Sequence, residues 1–288
     1  MTRTKKAKRT SCSTSSSISE QSTSWALGIE YNGQAFHGWQ RQKHASSVQQ
    51  SLEDALSKIA DEPVKVAAAG RTDAGVHATS QVASFTTNAQ RLEKAWRLGT
   101  NAHLPEGVSV AWARPVPADF HARYSALARR YLYLYAEEAP SALGRSQWWA
   151  GAPLNSDAMH RAAQALLGEQ DFSAVRAAAC QSPTPWRCVH RVAVSRFGDL
   201  VVLDIEANAF LLHMVRNIAS MLAQVGRGER PEGWVAQLLA GRDRGPLGVT
   251  APPQALYLTQ VSYAPDLALP GGRLPPPLRA LRDFTALS

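Results

Sequence analysis

Cysteine is scarce in this chain of 288 residues: only Cys12, Cys180 and Cys188. An odd, sparse set excludes a disulfide framework and fits a reducing compartment, so the expected location is cytoplasmic. Cys180 and Cys188 have no partner pair at zinc-ligand spacing and read as packing residues. The eight histidines are scattered, with no His-x-x-x-His pair, so no metal is expected. No apolar run approaches the ~20 residues that span a bilayer, so no membrane partner is expected. The N-terminus is basic but has no apolar stretch behind it, which excludes a secretory signal. Gly70 to Gly75 reads Gly-Arg-Thr-Asp-Ala-Gly without a following Lys-Ser/Thr, so it is not a nucleotide-phosphate loop. A Gly-x-Ser-x-Gly elbow is also missing, which excludes that class of serine hydrolase.

What remains is an ordinary globular composition, 45% hydrophobic and 19% charged, with a net charge of +8. The length suits one large domain or two smaller ones. A basic balance points to an anionic partner. Half of that charge lies in residues 1–24, where Arg3, Lys5, Lys6, Lys8 and Arg9 face only Glu20. This Ser/Thr-rich tail has too little apolar surface to fold and is expected to be disordered.

Order is expected to begin at Trp25. Trp25 to Tyr31 alternates as a strand, and Asn32-Gly33 is a turn signal. Ser47 to Gln50 is a capping-box pattern, opening a helix with Val48, Leu52, Ala55, Leu56 and Ile59 on one face. Strands are predicted for Val64–Ala69, Ser80–Thr86 and Gly107–Val116, with a helix capped by Asn88 and carrying Leu92, Ala95, Trp96 and Leu98. Ala128 to Ala136 alternates strictly, with Tyr131, Tyr133 and Tyr135 on one face. Helices follow over Ser156–Leu167, Phe210–Val225 and Pro231–Leu239, the last closed by Gly241. Strands follow over Val189–Arg196, Leu200–Ala207 and Leu256–Tyr263, with a hairpin turn at Gly198-Asp199. The expected fold is α+β: two ferredoxin-like, split βαβ subdomains over residues 25–123 and 124–264. Their antiparallel sheets join, helices cover one face, and the open face with the groove between halves binds the partner. Residues 265–288 are Pro-rich and read as a loose surface segment.

The loop from Gly70 to Ala78 gathers Arg71, Asp73 and His77 between two strands. A nearby guanidinium favours the charged form of a carboxylate, which suits a nucleophile or a base. A plain polar turn, with Asp73 bonded to its own backbone, is the other reading. Basic and aromatic residues interleave at Trp39-Gln40-Arg41, Phe120-His121-Ala122-Arg123-Tyr124 and Arg129-Arg130-Tyr131. Arginines neutralise phosphates and rings stack on unpaired bases, so the three together favour nucleic acid over solvated strand ends. Arg216 lies among apolar helix residues. Either it extends to solvent, or it needs a carboxylate such as Asp73.

These residues resemble tRNA pseudouridine synthases of the A type. Gly70 to Ala78 (GRTDAGVHA) is similar to the family's signature. The similarity continues through Gly38 to Gln42, Asp119 to Ala126, Arg129-Arg130-Tyr131, Asp171-Phe172-Ser173, Gln181 to Arg187, Asn208 to Asn217 and Ala255 to Leu258. It covers Ala26 to Tyr263. The resemblance implies isomerisation of uridine to pseudouridine in the tRNA anticodon arm, by a homodimer, with neither metal nor cofactor. It implies Asp73 as nucleophile, Tyr131 stacked on the base and Arg216 paired with the aspartate. Leu256 would pack on the uracil, and Arg71 would fill the gap left by the flipped base. RNA contacts are implied for Arg91, for Phe120, His121, Ala122, Arg123 and Tyr124, and for Gln181, Ser182, Pro183, Thr184 and Pro185. Two departures stand out: Pro183 replaces an arginine common in the family, and Leu212 replaces a histidine. A tRNA-binding module without catalysis would not need Asp73. A hydrolase would need a second carboxylate or a metal beside it.

Overall fold

The computed structural model describes residues 22–138 and 147–279. Most of the expected tail and the last residues of the Pro-rich end lie outside them. The first strand, β1 (Thr23–Tyr31), begins two residues earlier than expected. Helix α1 (Val48–Ala60) starts where Ser47 Oγ accepts from the Gln50 amide, 3.3 Å, and stops at left-handed Asp61. The strand before the loop is only β2 (Ala67–Ala68), whereas the strand after it, β3 (His77–Thr87), is longer and takes in His77 and Ala78. The helix expected after Asn88 spans residues 93–101, with a π-helical turn at Ala95–Gly99 in its middle. Asn88 does not cap it, because the helix begins five residues later. Leu92 and Leu98 are exposed there. Trp96 alone enters the core, between Trp25 at 6.0 Å and Phe85 at 5.1 Å. In β4 (Val108–Val116) a bulge shifts the register from Ile29↔Val110 to Gly28↔Trp112. One extra residue inverts the alternation, so Ala113 is buried and Trp112 leaves the face of Val108 and Val110.

The second half runs β5 (Ala128–Ala136), β6 (Trp148–Trp149), α2 (Ser156–Ala163), β7 (Gly168–Asp171), β8 (Trp186–Phe197) and β9 (Leu200–Ala207). Then come α3 (Met214–Gly226), α4 (Trp234–Gly241), β10 (Leu256–Ser262) and α5 (Pro276–Arg279). α3 starts later than Phe210 because His213 adopts φ 60 and breaks helical geometry before it. α4 starts after Pro231, and the left-handed residue that ends it is Arg242, not Gly241.

Both halves show the same strand order. The sheet reads β4-β1-β3-β10-β5-β9-β8-β7, with β2 also on β3. Leaving aside the short β6 and β7, numbering the four remaining strands of each half gives order 4-1-3-2 twice, as β4-β1-β3-β2 and β10-β5-β9-β8. That is the split βαβ arrangement. One short parallel pairing joins them: His77↔Tyr257 and Ala78↔Leu258. β2 uses the same edge of β3 farther along, at Ala83 and Ser84. Residues 69–76 therefore leave the sheet at the place where one half's strand gives way to the other's.

Tyr131, Tyr133 and Tyr135 pack on the face that carries the long helices, where Tyr135 Oη donates to the Ala219 carbonyl of α3 at 2.9 Å. The opposite face is not wholly open. Leu278 of α5 is buried against Leu132, Leu134, Val202 and Tyr257. Arg273 and Arg279 pair with Glu30 at 3.0 and 3.3 Å, and the Arg273 amide bonds Ser80 Oγ at 2.9 Å. Through Arg279 the Pro-rich end is thus a strap rather than a loose segment. Its prolines favour an extended path that Leu278 and the two arginines pin down.

Candidate active site

The loop after β2 is held along its length. Gln81 receives the Gly70 amide at 3.3 Å and donates to its carbonyl at 2.6 Å. Thr72 Oγ1 bonds Tyr31 Oη at 2.8 Å, and its carbonyl accepts from the Trp39 amide at 3.0 Å. The Val76 amide closes a turn on the Asp73 carbonyl at 3.2 Å, and Gly75 supplies the required φ of +82. Asp73 stands between these anchors with its side chain 26% exposed. Arg216 Nη1 donates to Asp73 Oδ2 at 3.1 Å, and Arg216 Nε donates to the Ala251 carbonyl at 2.8 Å. The pairing expected from sequence is therefore made. Arg216 is fixed from two sides rather than extended into solvent.

His77 is not part of this group. It opens β3, is 4% exposed, accepts the Gly33 amide on Nδ1 at 3.2 Å and stacks on Tyr257 at 4.7 Å. Burial pushes its pKa down to about 4, opposed by the backbone carbonyl of Gln254 as acceptor. The histidine beside Asp73 is His213, with Nε2 3.3 Å from the same Oδ2. Sequence reading missed it. The available signal was its position three residues before Arg216, one helical turn away on the same side.

Tyr131 is buried, edge-on to Phe210 at 5.1 Å, with its hydroxyl 3.7 Å from where a Cβ on Gly70 would lie. Burial raises its pKa far above the ordinary phenol value; Tyr31 and Asp73 add to this and Arg129 opposes it. Leu256 opens β10 opposite Tyr133 and is 5% exposed. Tyr131, Leu256 and the α3 arginine thus share the helix-bearing face. The sequence reading placed the binding surface on the open face and in the groove between halves; Asp73 and Arg216 do meet where the halves join, but on the helix-bearing face.

The basic clusters divide. Arg71 is exposed, with no hydrogen bond or ion pair among the described residues. Arg123 is exposed and lies over the Tyr124 ring at 5.7 Å. His121 meets that ring at 4.4 Å. Phe120 and Ala122 are buried: Phe120 packs on Tyr263 at 5.2 Å, and the Ala122 amide bonds Ser84 Oγ at 3.0 Å. They hold the segment, so a direct RNA contact by their side chains is not supported. Arg91 is exposed and donates to the Ile59 carbonyl at 3.0 Å. Gln181, Pro183 and Thr184 are exposed, while Ser182 and Pro185 are half-buried. Beneath them Arg176 donates to the Ser182 carbonyl and Arg187 to Ser182 Oγ, both at 2.6 Å. Trp39 is buried, and Arg41 pairs with Glu53 at 3.0 Å and Asp54 at 3.2 Å. Arg130 is held by both oxygens of Asp204 at 2.8 and 2.7 Å. Arg129 is buried on carbonyl oxygens. Arg129 and Arg130 are thus internal partners, whereas Arg41 is exposed with its charge paired at the surface.

Residues 28–125 and 162–264 match the family model described as tRNA pseudouridine synthase. The curated protein named tRNA pseudouridine synthase A from Klebsiella pneumoniae is 53% identical over 247 residues, covering 85% of this chain and 92% of its own. Its namesake from Shewanella amazonensis is also 53% identical over 247 residues, covering 85% and 95%. That from Escherichia fergusonii is 52% identical with 85% and 92% covered. The matches run through both half-sheets and the loop between them, so this chain belongs to the tRNA pseudouridine synthase A family and is an isomerase.

Proposed function

We propose that this enzyme isomerises uridine to pseudouridine in the anticodon arm of tRNA, with Asp73 as nucleophile acting on a flipped-out nucleotide. The observation that carries this reading is the aspartate on an anchored loop, with one oxygen held by Arg216 at 3.1 Å and partial access to solvent. Asp73 Oδ1 has no hydrogen bond or ion pair among the described residues, so that oxygen is available to attack. Attack on the bound uridine lets the C1′–N1 bond break, with its electron pair leaving on uracil. The base turns within the pocket, C5 bonds to C1′ in place of N1, the C5 proton is released, and N1, which left with the electron pair, takes up one proton. The aspartate is regenerated, and the product is an isomer of the substrate.

The base would lie between Tyr131 and Leu256. Tyr131 holds its proton because burial disfavours the phenolate. That fits stacking and orientation better than proton abstraction. A uridine inside a stem must leave its stack to reach this depth. Arg71, exposed and two residues before Asp73, enters the vacated space in this reading, where a planar cation stacks on neighbouring bases. Arg123 and Tyr124, with the 181–184 segment, extend a basic and aromatic rim for the RNA. A second copy of the chain, as the family resemblance implies, would complete the tRNA footprint.

The test is tritium release from [5-³H]uridine-labelled tRNA with EDTA present. Release together with a pseudouridine product is expected. Bound tRNA without release would sink the isomerase reading for this substrate. Arg71→Ala is expected to slow single turnover on a structured anticodon stem by about tenfold, the scale of one lost stacking contact. A short unpaired oligonucleotide should show little change, and an equal loss on both would remove the flipping role.

A further inference from the structure

We propose that Gln81 and Tyr31 are positioning residues for Arg71: they fix the backbone on both sides of it, so its side chain is free while the point it springs from is not. The inference rests on Arg71 entering the space left by the flipped nucleotide. Gln81 lies in β3 with no exposed surface, and the four hydrogen-bonding places of its side-chain amide are all filled. Its oxygen accepts from the Gly70 amide at 3.3 Å and from the Val82 amide at 3.2 Å. Its nitrogen donates to the Gly70 carbonyl at 2.6 Å and to Tyr31 Oη at 3.3 Å. Turned over, the amide would set its oxygen against the Gly70 carbonyl and its nitrogen against two N–H donors, so the network admits one orientation.

The Gln81 side chain stands in for a strand. Just past β2, the Ala69 amide still donates to the Val82 carbonyl at 2.8 Å. At the next residue the Gln81 amide takes both backbone groups of Gly70, as a peptide group of a neighbouring strand would. The chain therefore leaves the sheet with Gly70 already fixed. Thr72 is fixed in turn. Tyr31 Oη, which accepts from Gln81, bonds Thr72 Oγ1 at 2.8 Å. Burial pushes the Tyr31 pKa up to about 12, so the hydroxyl keeps its proton. The Thr72 carbonyl accepts from the Trp39 amide at 3.0 Å, and the chain passes so close there that a Cβ on Gly38 would stand 2.9 Å from that oxygen.

Arg71 sits between these two anchors, and its own side chain is exposed. An arginine on a slack loop would lose backbone freedom each time it entered a base stack, and that loss would weaken the insertion. Fixing Gly70 and Thr72 in the folded enzyme removes the loss, while the long side chain keeps its reach. A buried polar network with every group satisfied is rigid enough for this. The gain falls on paired RNA, where a base must be displaced from its stack, and not on RNA that is already unstacked.

The test measures single turnover by the full-length enzyme, in excess, on labelled tRNA and on a short unpaired uridine oligonucleotide. Tyr31→Phe removes one oxygen from the network, and Gln81→Met keeps the volume while removing the four hydrogen bonds of the amide. On tRNA both variants are expected to turn over about 3- to 10-fold slower, the range of a lost hydrogen bond, bounded by the effect of losing Arg71 itself. On the oligonucleotide both should stay within about twofold of wild type. In an Arg71→Ala enzyme, adding either change should slow tRNA turnover by less than about twofold more, because the residue they position is gone. Unfolding curves show which variants are folded at the assay temperature; should Gln81→Met not be, Tyr31→Phe and the isosteric Thr72→Val carry the test. Wild-type rates on tRNA beside a slow Arg71→Ala enzyme would overturn this proposal alone. So would equal losses on both substrates, which would mean that the network serves Asp73, and so would losses that multiply in the double variants. Arg71→Ala at the wild-type rate on tRNA would remove the Arg71 reading, and this proposal with it.

Discussion

Asp73→Asn is expected to abolish tritium release while tRNA still binds with near wild-type affinity. Asparagine matches aspartate in size and keeps an oxygen for the Arg216 donor, now at 3.1 Å from Oδ2. The loop is secured elsewhere, through Gly70, Thr72 and the Asp73 backbone, so its shape does not depend on the carboxylate. What is lost is the nucleophile, for which an amide oxygen is no substitute. Removing one acidic side chain from an RNA-facing loop should change affinity by less than about threefold. Gel-shift titration beside the release assay checks both halves of the prediction. Full activity would show that Asp73 serves only to hold Arg216. A large fall in affinity would make the aspartate a structural element of the RNA interface.

Arg129→Leu is expected to give the largest loss of stability among the residues discussed. The guanidinium is 8% exposed and makes five hydrogen bonds to four carbonyl oxygens: Ala69, Arg123, Ala126 and Asn208. Three separate stretches meet there: Ala69, which leads into the loop, residues 123–126 with the arginine of the aromatic rim, and Asn208. No carboxylate pairs with Arg129 among the described residues. Burial lowers its pKa from the usual arginine value, partly offset by Tyr263 and Tyr131. Leucine fills part of the volume but leaves the carbonyls without donors, each at a cost of about 1–3 kcal/mol where water does not reach. A net loss of about 3–5 kcal/mol follows for a site of this kind. For a chain of this size that is a fall of roughly 10 °C in Tm. Calorimetry measures it directly. A fall below about 2 °C would show that water enters and satisfies the four oxygens.

β5 was legible because its two faces pack differently, Tyr131, Tyr133 and Tyr135 toward the helices and Leu132 and Leu134 under Leu278. The residues alone left Arg216 between solvent and a carboxylate such as Asp73, and the family resemblance decided for that pair, 143 residues apart. Within the basic clusters the individual roles were not legible: Arg41, Arg129 and Arg130 find partners in Glu53, backbone carbonyls and Asp204, which adjacency in sequence cannot reveal. The helix around Trp96 forms as expected, but its π-helical turn was not legible, and Leu92 and Leu98, expected on its apolar face, are exposed. His213 was hidden because nothing in its neighbours announces a left-handed turn. Glycine or asparagine would have done so.

The last strand of the sheet is its middle one. β10 pairs with β3 on one side and β5 on the other, so the two halves have no shared ladder until residues 256–262 exist. During synthesis the first half can form its own order, β4-β1-β3-β2, as soon as it clears the ribosome, while the second waits for its fourth strand. Catalytic competence therefore arrives at the end of translation rather than gradually. A chain cut before Leu256 would retain Asp73, Tyr131 and Arg216 yet present two bare strand edges. The expected fates of such a fragment are capture by chaperones or pairing with another nascent chain.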